Sequence, residues 1–299
     1  MNLGLRTCVL SGLVLAASVS LAAAPDDAAA PTAVKYMRRA TPATPALRSS
    51  AAFVLDATNS SVLYSRRSDI AVPIASITKL MTALVIMDAG QPLDEPIEIT
   101  REDQHLRKSA RSRLIAGMTL SRGDLLHLAL MSSENHAAHA LGRTYPGGSS
   151  GCVEAMNAKA RELGMTNAHF VEPTGLSEEN VASPEDLSKL VMAAAKVPQI
   201  REYSTDSSYE VQVGRHILSY RNTDSLVSRP DWDIEVQKTG YISRAGRCLV
   251  MQTVIEDRTV VIVLLNSFGK RTRVADARRI RKWMEATLPV HEASAATQT

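Results

Sequence analysis

CLVMQTVIEDRTVVIVLL, residues 248–265, is two apolar, β-branched runs broken by Glu256-Asp257-Arg258. Val and Ile suit a pleated strand, and a charged triplet between two such runs reads as a turn. Three more β runs lie upstream: YEVQV (209–213), HILSY (216–220) and IEVQKTG (234–240). Far from them, AAFVL (51–55) and SVLYS (61–65) flank the turn-forming DATNS, a second hairpin. A lone hairpin is marginal in water. The N-terminal pair is therefore expected to join the later strands in one sheet.

The intervening chain has helical spacing. Ser76–Ala89 puts Ile77, Leu80, Ala83, Leu84 and Met87 on one face, and Gly90 stops it. Ser121-Arg122-Gly123-Asp124 has the form of a capping box ahead of Leu125–Met131. Further helices are expected from Asn135 to Arg143 and over Cys152–Leu163, the latter stopped by Gly164. Ser183-Pro184-Glu185-Asp186 opens another with a cap, a first-turn proline and acids at the positive dipole end. A last helix over 273–288 carries RRIRKW, read as its solvated face. The implied architecture is α+β: an antiparallel sheet flanked by helices, with a helical subdomain inserted between the N-terminal hairpin and the C-terminal strands. A cleft is expected at the seam between sheet and helices.

The 299 residues are 45% hydrophobic and 22% charged, a globular balance, and the formal net charge of +3 is too small to imply a nucleic-acid partner. Residues 1–24 have Arg6 as their only charge, then the apolar, small Val9–Leu21 and Ala22-Ala23-Ala24. That is an export signal cleaved within Ala22–Ala24, its apolar run being short of the roughly 20 residues of a membrane span. A periplasmic location is expected. Residues 25–48, with four prolines, read as a linker, 49–288 as the folded domain and 289–299 as a polar tail. VHEASAATQT has no apolar face, so no membrane anchor is expected there. Cys152 and Cys248 remain after cleavage, and two readings are open: one disulfide, or two small buried hydrophobes.

SITKLMTALVIMD (76–88) sets a hydroxyl one helical turn ahead of a lysine. Residues three apart share a helix face, so Ser76 Oγ and Lys79 Nζ can meet. Either Ser76 caps the helix while Lys79 reaches water, or Lys79 takes a proton from Ser76. A second S-x-x-K, Ser267-Phe268-Gly269-Lys270, follows a strand and is the weaker copy. Two other pieces favour chemistry. Ser133-Glu134-Asn135 lies between two helices, where a short loop can present side chains to the cleft. Lys238-Thr239-Gly240 ends a β run, and its glycine lets another backbone approach.

In this order, S-x-x-K, S-x-N and K-T-G resemble the penicillin-recognising serine enzymes, which carry aspartate where Glu134 stands. PIASITKLMTALVIMD, LLHLALMSSENHAAHALGRTYPGG, AMNAKARELGMTNAHFVEPTGLS and QKTGYISRAGRCLVMQTVIEDRTVVIVLLN resemble low-molecular-mass penicillin-binding proteins of the D-alanyl-D-alanine endopeptidase type. The similarity spans roughly residues 51–285. It implies a DD-peptidase/β-lactamase-like fold and a cofactor-free serine hydrolase. The partners it implies are peptidoglycan peptide stems, with β-lactams as acylating inhibitors. Ser76 would be the nucleophile, Lys79 its base, Ser133 a relay to the leaving amine, and Asn135 a partner of Lys79 and of the substrate amide. Lys238 and Thr239 would bind a substrate carboxylate, and the N–H groups of Ser76 and Tyr241 would form the oxyanion hole beside Gly240. The resemblance favours cutting D-alanyl–diaminopimelate crosslinks over trimming a terminal D-alanine. For Lys79 to act as a base at pH 7, its pKa must fall from 10.4, roughly 4.6 kcal/mol. Burial and a second ammonium, Lys238, both push that way.

Several rival readings have their own residues. Tyr220-Arg221-Asn222 is an alternative middle motif. Glu172-Pro173-Thr174-Gly175-Leu176 resembles the loop that activates water in class A β-lactamases but lacks its final asparagine. A non-catalytic wall-binding module would have lost a proton-handling residue, and none is missing. His136 and His139 could mimic a metal pair, but no third ligand is apparent. His105, His127 and His169 read as ordinary. The basic stretch 101–113, with Arg107, Lys108, Arg111 and Arg113, is a solvated loop or an edge of the cleft.

Overall fold

The computed structural model describes residues 44–104 and 112–287. The expected export signal, the linker up to residue 43, His105, Arg107, Lys108, Arg111 and the tail from 288 lie outside these residues.

In chain order, β1 (Ser49–Asp56) and β2 (Ser61–Arg66) form a hairpin, and β3 (Val72–Pro73) leads through a 3-10 turn, Ala75–Ile77, into α1 (Thr78–Asp88). Then come β4 (Pro96–Glu98), α2 (Arg101–Gln104), β5 (Thr119–Ser121), α3 (Arg122–Met131), α4 (Asn135–Arg143) and α5 (Gly148–Glu162). β6 (Val181–Ala182), α6 (Pro184–Ala194), α7 (Pro198–Thr205), β7 (Ser208–Val213) and β8 (His216–Arg221) follow. β9 (Asp233–Ile242), β10 (Gly246–Ile255), β11 (Arg258–Ser267) and α8 (Thr272–Thr287) end the described chain.

The main sheet is antiparallel, in the order β2-β1-β11-β10-β9. The N-terminal hairpin joins the later strands through β1 and β11, with Phe53 opposite Val263. Its β runs are continuously apolar because both faces are covered. Phe53, Val250, Val261 and Val263 pack towards α6, whereas Val54, Leu249, Ile262 and Leu264 meet Ile280, Trp283 and Met284 of α8. The β10–β11 turn places Glu256 and Asp257 at φ 50 and φ 55, the left-handed pair that matches the twist of a two-residue hairpin.

YEVQV and HILSY pair only with each other, as β7 and β8, outside the five-stranded sheet. Their inward residues, Val211 and Val213, are buried with the helical block instead. Alternation specifies a strand but not its partner.

Helix α1 is buried along Thr78–Ile86 because α3, α4, α5 and α6 surround it. The capping box at α3 is complete: Ser121 Oγ accepts from Asp124 N at 3.0 Å, and Asp124 Oδ2 accepts from Ser121 N at 3.2 Å. Ser183 caps α6 and Pro184 opens it. The body begins slightly ahead of β1: Leu47 is in the core, and the Arg48 and Ser49 N–H groups donate to the Asp276 carboxylate. Cys152 and Cys248 are buried free thiols, so the disulfide reading is not realised. Burial pushes the thiols up to about 12 and about 11. No described helix is long and apolar enough to cross a membrane.

Candidate active site

The three sequence elements converge where β9, the free edge of the sheet, meets the 3-10 turn ahead of α1. Ser76, Ser133, Asn135, Thr239, Gly240 and Tyr241 line one cavity of about 530 Å³. A larger hollow of about 1030 Å³ runs along α5, but it gathers no nucleophile and base, so the chemistry assigns the site to the smaller one.

Ser76 is held by backbone on two sides. Gly240 lies so close that a Cβ there would sit 2.9 Å from Ile74 O and 3.1 Å from Ser76 N. Gly175, at φ +79, is closer still: its Cβ would fall 2.1 Å from Ala75 O and 2.8 Å from Ser76 N. Only glycine permits both approaches. The turn is tied to loop 172–180, because Ile74 N donates to Asn180 O at 3.1 Å and β3 pairs with β6. Ala75 and Ser133 adopt φ 49 and φ 61. Non-glycine residues persist there only when their surroundings over-determine them, as active sites do.

Lys79 is 1% exposed and makes three contacts. Its Nζ stands 3.0 Å from Ser76 Oγ, 2.8 Å from Asn135 Oδ1 and 2.5 Å from Thr174 O. The amide and main-chain oxygens can only accept. A neutral amine has two N–H groups and one lone pair. With both N–H groups given to Asn135 and Thr174, its lone pair is left for the Ser76 O–H. Burial lowers the Lys79 pKa to about 8, against the opposing pull of the Glu172 and Glu134 carboxylates. Lys238, also fully buried, is pushed well down by burial, then by repulsion from Lys79 and Arg273. The expected help from Lys238 thus runs chiefly the other way, with the Lys79 charge acting on Lys238.

Around this pair lie groups suited to an anion. Thr239 and Thr223 share a hydroxyl hydrogen bond of 2.7 Å. Arg273, from the first turn of α8, lines the cavity and donates to Gly240 O at 3.3 Å. Lys238 Nζ donates to Thr239 O at 3.0 Å. Tyr241 stands exposed on the rim under the Arg247 guanidinium, 4.6 Å from its ring centre.

Three groups here escaped sequence reasoning. The Thr174 carbonyl is main chain and carries no residue signature. Arg273 sat in a helix read for its solvated face. Thr223 follows the alternative middle motif, Tyr220-Arg221-Asn222. In that rival motif, Asn222 donates to Ser204 O and Asp206 O at 2.9 and 2.7 Å and accepts from Gln237 Nε2. It clasps α7 to β9 and has no amide group left for a ligand.

The other rivals also resolve into structure. Glu134 caps α4 by accepting from Ala137 N at 2.9 Å. The Glu172 carboxylate accepts from Thr174 N, Gly175 N and Asn180 Nδ2 at 2.6, 2.6 and 2.8 Å, which occupies it inside its own loop. His136 Nδ1 bonds Leu114 O, and His139 Nδ1 bonds Asp103. His127 stacks between Tyr203 and Tyr209, and His169 pairs with Val181. In the second S-x-x-K, Ser267 is buried against Ser49 while Lys270 is exposed. Arg113 lies on the Tyr220 ring and donates to Ser219 O at 2.6 Å.

The peptidase S11 family, D-alanyl-D-alanine carboxypeptidase, matches residues 38–269. This chain belongs to the S11 peptidases. It is 43% identical over 283 residues to a D-alanyl-D-alanine endopeptidase of Pseudomonas aeruginosa, covering 94% of this chain and 89% of that one. It is 44% identical over 270 residues to the D-alanyl-D-alanine endopeptidase of Escherichia coli, covering 89% and 87%. Among solved structures, the D-alanyl-D-alanine carboxypeptidase of Mycobacterium tuberculosis superimposes with a TM-score of 0.76 at 26% identity, over 84% of this chain and 96% of that one. The Streptomyces K15 DD-transpeptidase gives 0.76 at 25% identity, over 81% and 99%. This S11 chain therefore shares the antiparallel, helix-flanked DD-peptidase fold.

Proposed function

We propose that this S11 peptidase is an exported serine DD-peptidase that hydrolyses D-alanyl amide bonds in peptidoglycan stem peptides. Its preferred bond is the D-alanyl–diaminopimelate crosslink. The observation that carries the reading is the contact set of Lys79: two obligate acceptors and one hydroxyl, in a buried site.

Ser76 Oγ attacks the carbonyl carbon of D-alanine as its proton passes to Lys79 Nζ. The developing oxyanion lies at the Ser76 and Tyr241 N–H groups, and a donor of this kind typically contributes about 3 kcal/mol. Ser133 relays the proton to the departing amine as the C–N bond breaks. Water then adds to the acyl carbon and frees Ser76. Thr239 and Arg273 hold the carboxylate beside the leaving nitrogen, with Lys238 buried behind Thr239. Asn135 orients Lys79 and meets the donor amide. A β-lactam, with a carboxylate beside a strained amide, follows the same first step. Glu172 is committed to its own loop, which argues against rapid β-lactam turnover. The signal-like residues 1–24 support delivery to the periplasm, where the polymer is.

Relatives named endopeptidases at 43% and 44% identity support the crosslink preference. The test is to incubate the protein, with Ser76→Ala as control, with crosslinked dimeric muropeptides and with monomeric pentapeptide. Mass spectrometry identifies the products. Dimers should fall to monomers and the control should be inert. Trimming of the pentapeptide alone would overturn the endopeptidase assignment.

A further inference from the structure

The active-site cavity has a second end that the mechanism leaves unused. Loop 172–180 contributes Leu176 and Glu178 there, facing Ile242, Ser243 and Arg244 at the end of β9. Arg244 Nε lies 3.3 Å from Glu178 Oε2, so one ion pair spans the two walls. Its side chains are 79% and 54% exposed, and a pair this wet opens at little cost. Glu178 is also the one carboxylate among the described lining residues, beside Arg244, Arg247 and Arg273. One carboxylate among three guanidiniums suits a ligand that brings a cation alongside its anions.

The orientation of a bound stem follows from the functional reading above, on which this inference rests. The leaving group's carboxylate lies at Thr239 and Arg273, and the scissile carbonyl lies over Ser76 and Gly240. The donor peptide therefore extends along the free edge of β9 towards Arg244, in the manner of an added strand. Arg244 lies four positions beyond Gly240, in the turn after β9, and a long side chain on the substrate and the arginine itself close that span between them.

We propose that Glu178 and Arg244 recognise the residue preceding the scissile D-alanine through a side chain that ends in a zwitterion. Arg244 takes the carboxylate and Glu178 the ammonium, so the two protein groups exchange each other for the two ends of the ligand. An unlinked amino-acid end of a diamino dicarboxylic acid supplies both charges at adjacent atoms. A lysine supplies only the ammonium, and an amidated end leaves Arg244 without its anion. No bond is made or broken in this step.

The test uses crosslinked dimers whose donor diaminopimelate carries either a free or an amidated side-chain carboxylate. Steady-state kinetics are measured for the wild type, Arg244→Ala, Arg244→Lys and Glu178→Gln. The wild type should favour the free carboxylate by about tenfold in kcat/KM, mostly through KM, as expected for one charged hydrogen bond. Arg244→Ala should bring that ratio close to one, and Arg244→Lys should keep part of it. Glu178→Gln should erode the preference for a free over an N-acetylated ammonium. Equal wild-type rates on both dimers, or a ratio that survives Arg244→Ala, overturns the subsite alone. Failure of the wild type to cut either dimer overturns the functional reading and the subsite with it.

Discussion

Lys79→Met is expected to lower kcat/KM on crosslinked muropeptides by about 10³-fold, within the range ascribed to a positioned general base. Methionine has a similar length and no lone pair basic enough to take the Ser76 proton. The loss is local. The substitution removes a buried amine that stands 1% exposed, which relieves its desolvation, but it leaves Asn135 Oδ1 and Thr174 O without their donor. Each orphaned acceptor costs about 1–3 kcal/mol, so the two effects oppose each other and the fold should survive. Stopped-flow acylation by a β-lactam and a thermal melt on the same preparation separate the outcomes. A folded variant that acylates within tenfold of the wild type would remove Lys79 from the mechanism.

Gly175→Ala should damage both stability and activity. The added Cβ meets the Ala75 carbonyl oxygen at 2.1 Å, and its backbone is at φ +79. The obstacle is main chain, so it cannot step aside as a flexible side chain would. The left-handed conformation alone costs an alanine about 1–2 kcal/mol, and the clash adds to it. A total of roughly 3 kcal/mol lowers Tm by about 6–12 °C in a domain of this size. The loop or the nucleophile turn must shift by a large part of an ångström, and misplacement on that scale costs about 100-fold in rate. Gly164→Ala is the informative comparison. It has φ +68 but nothing within 4 Å, so it carries only the backbone penalty. Equal melting temperatures for the two variants, with wild-type kcat/KM for Gly175→Ala, would show that the close approach is unimportant.

The five-stranded sheet was legible wherever burial on both faces wrote continuous apolar runs, as in TVVIVLL. Its hairpin partner AAFVL was legible because two strands cannot stand alone. YEVQV and HILSY were legible as strands but not as a separate hairpin, since nothing in an alternating pattern names the surface it will cover. Helix α7 escaped notice because PQIREYST buries only Ile200 and Ser204. At the site, Ser76 and Lys79 could be read because helical spacing brings them together. Ser133, Asn135, Lys238 and Thr239 needed two other motifs and their order along the chain. The main-chain contribution of Thr174 was unreadable, although EPTGL did mark an unusual loop. Its glutamate suggested water activation, whereas folded it accepts hydrogen bonds that shape the loop, and the loop then delivers a carbonyl to Lys79. Opposite charges at Glu178 and Arg244, far apart in sequence, become a pair only when loop 172–180 and the turn after β9 face each other.

In the proposed mechanism Ser76 becomes a nucleophile by giving its proton to a neutral, buried Lys79. With the Lys79 pKa lowered to about 8, the neutral form grows as pH rises towards that value and then levels. The direct measurement is the rate of acylation by penicillin from pH 6 to pH 9, with the adduct located by peptide mass spectrometry. An acyl group is expected on Ser76, with a rate that climbs about tenfold per pH unit at first, then flattens above about pH 8. An adduct on another residue, or a rate independent of pH across that interval, would contradict it.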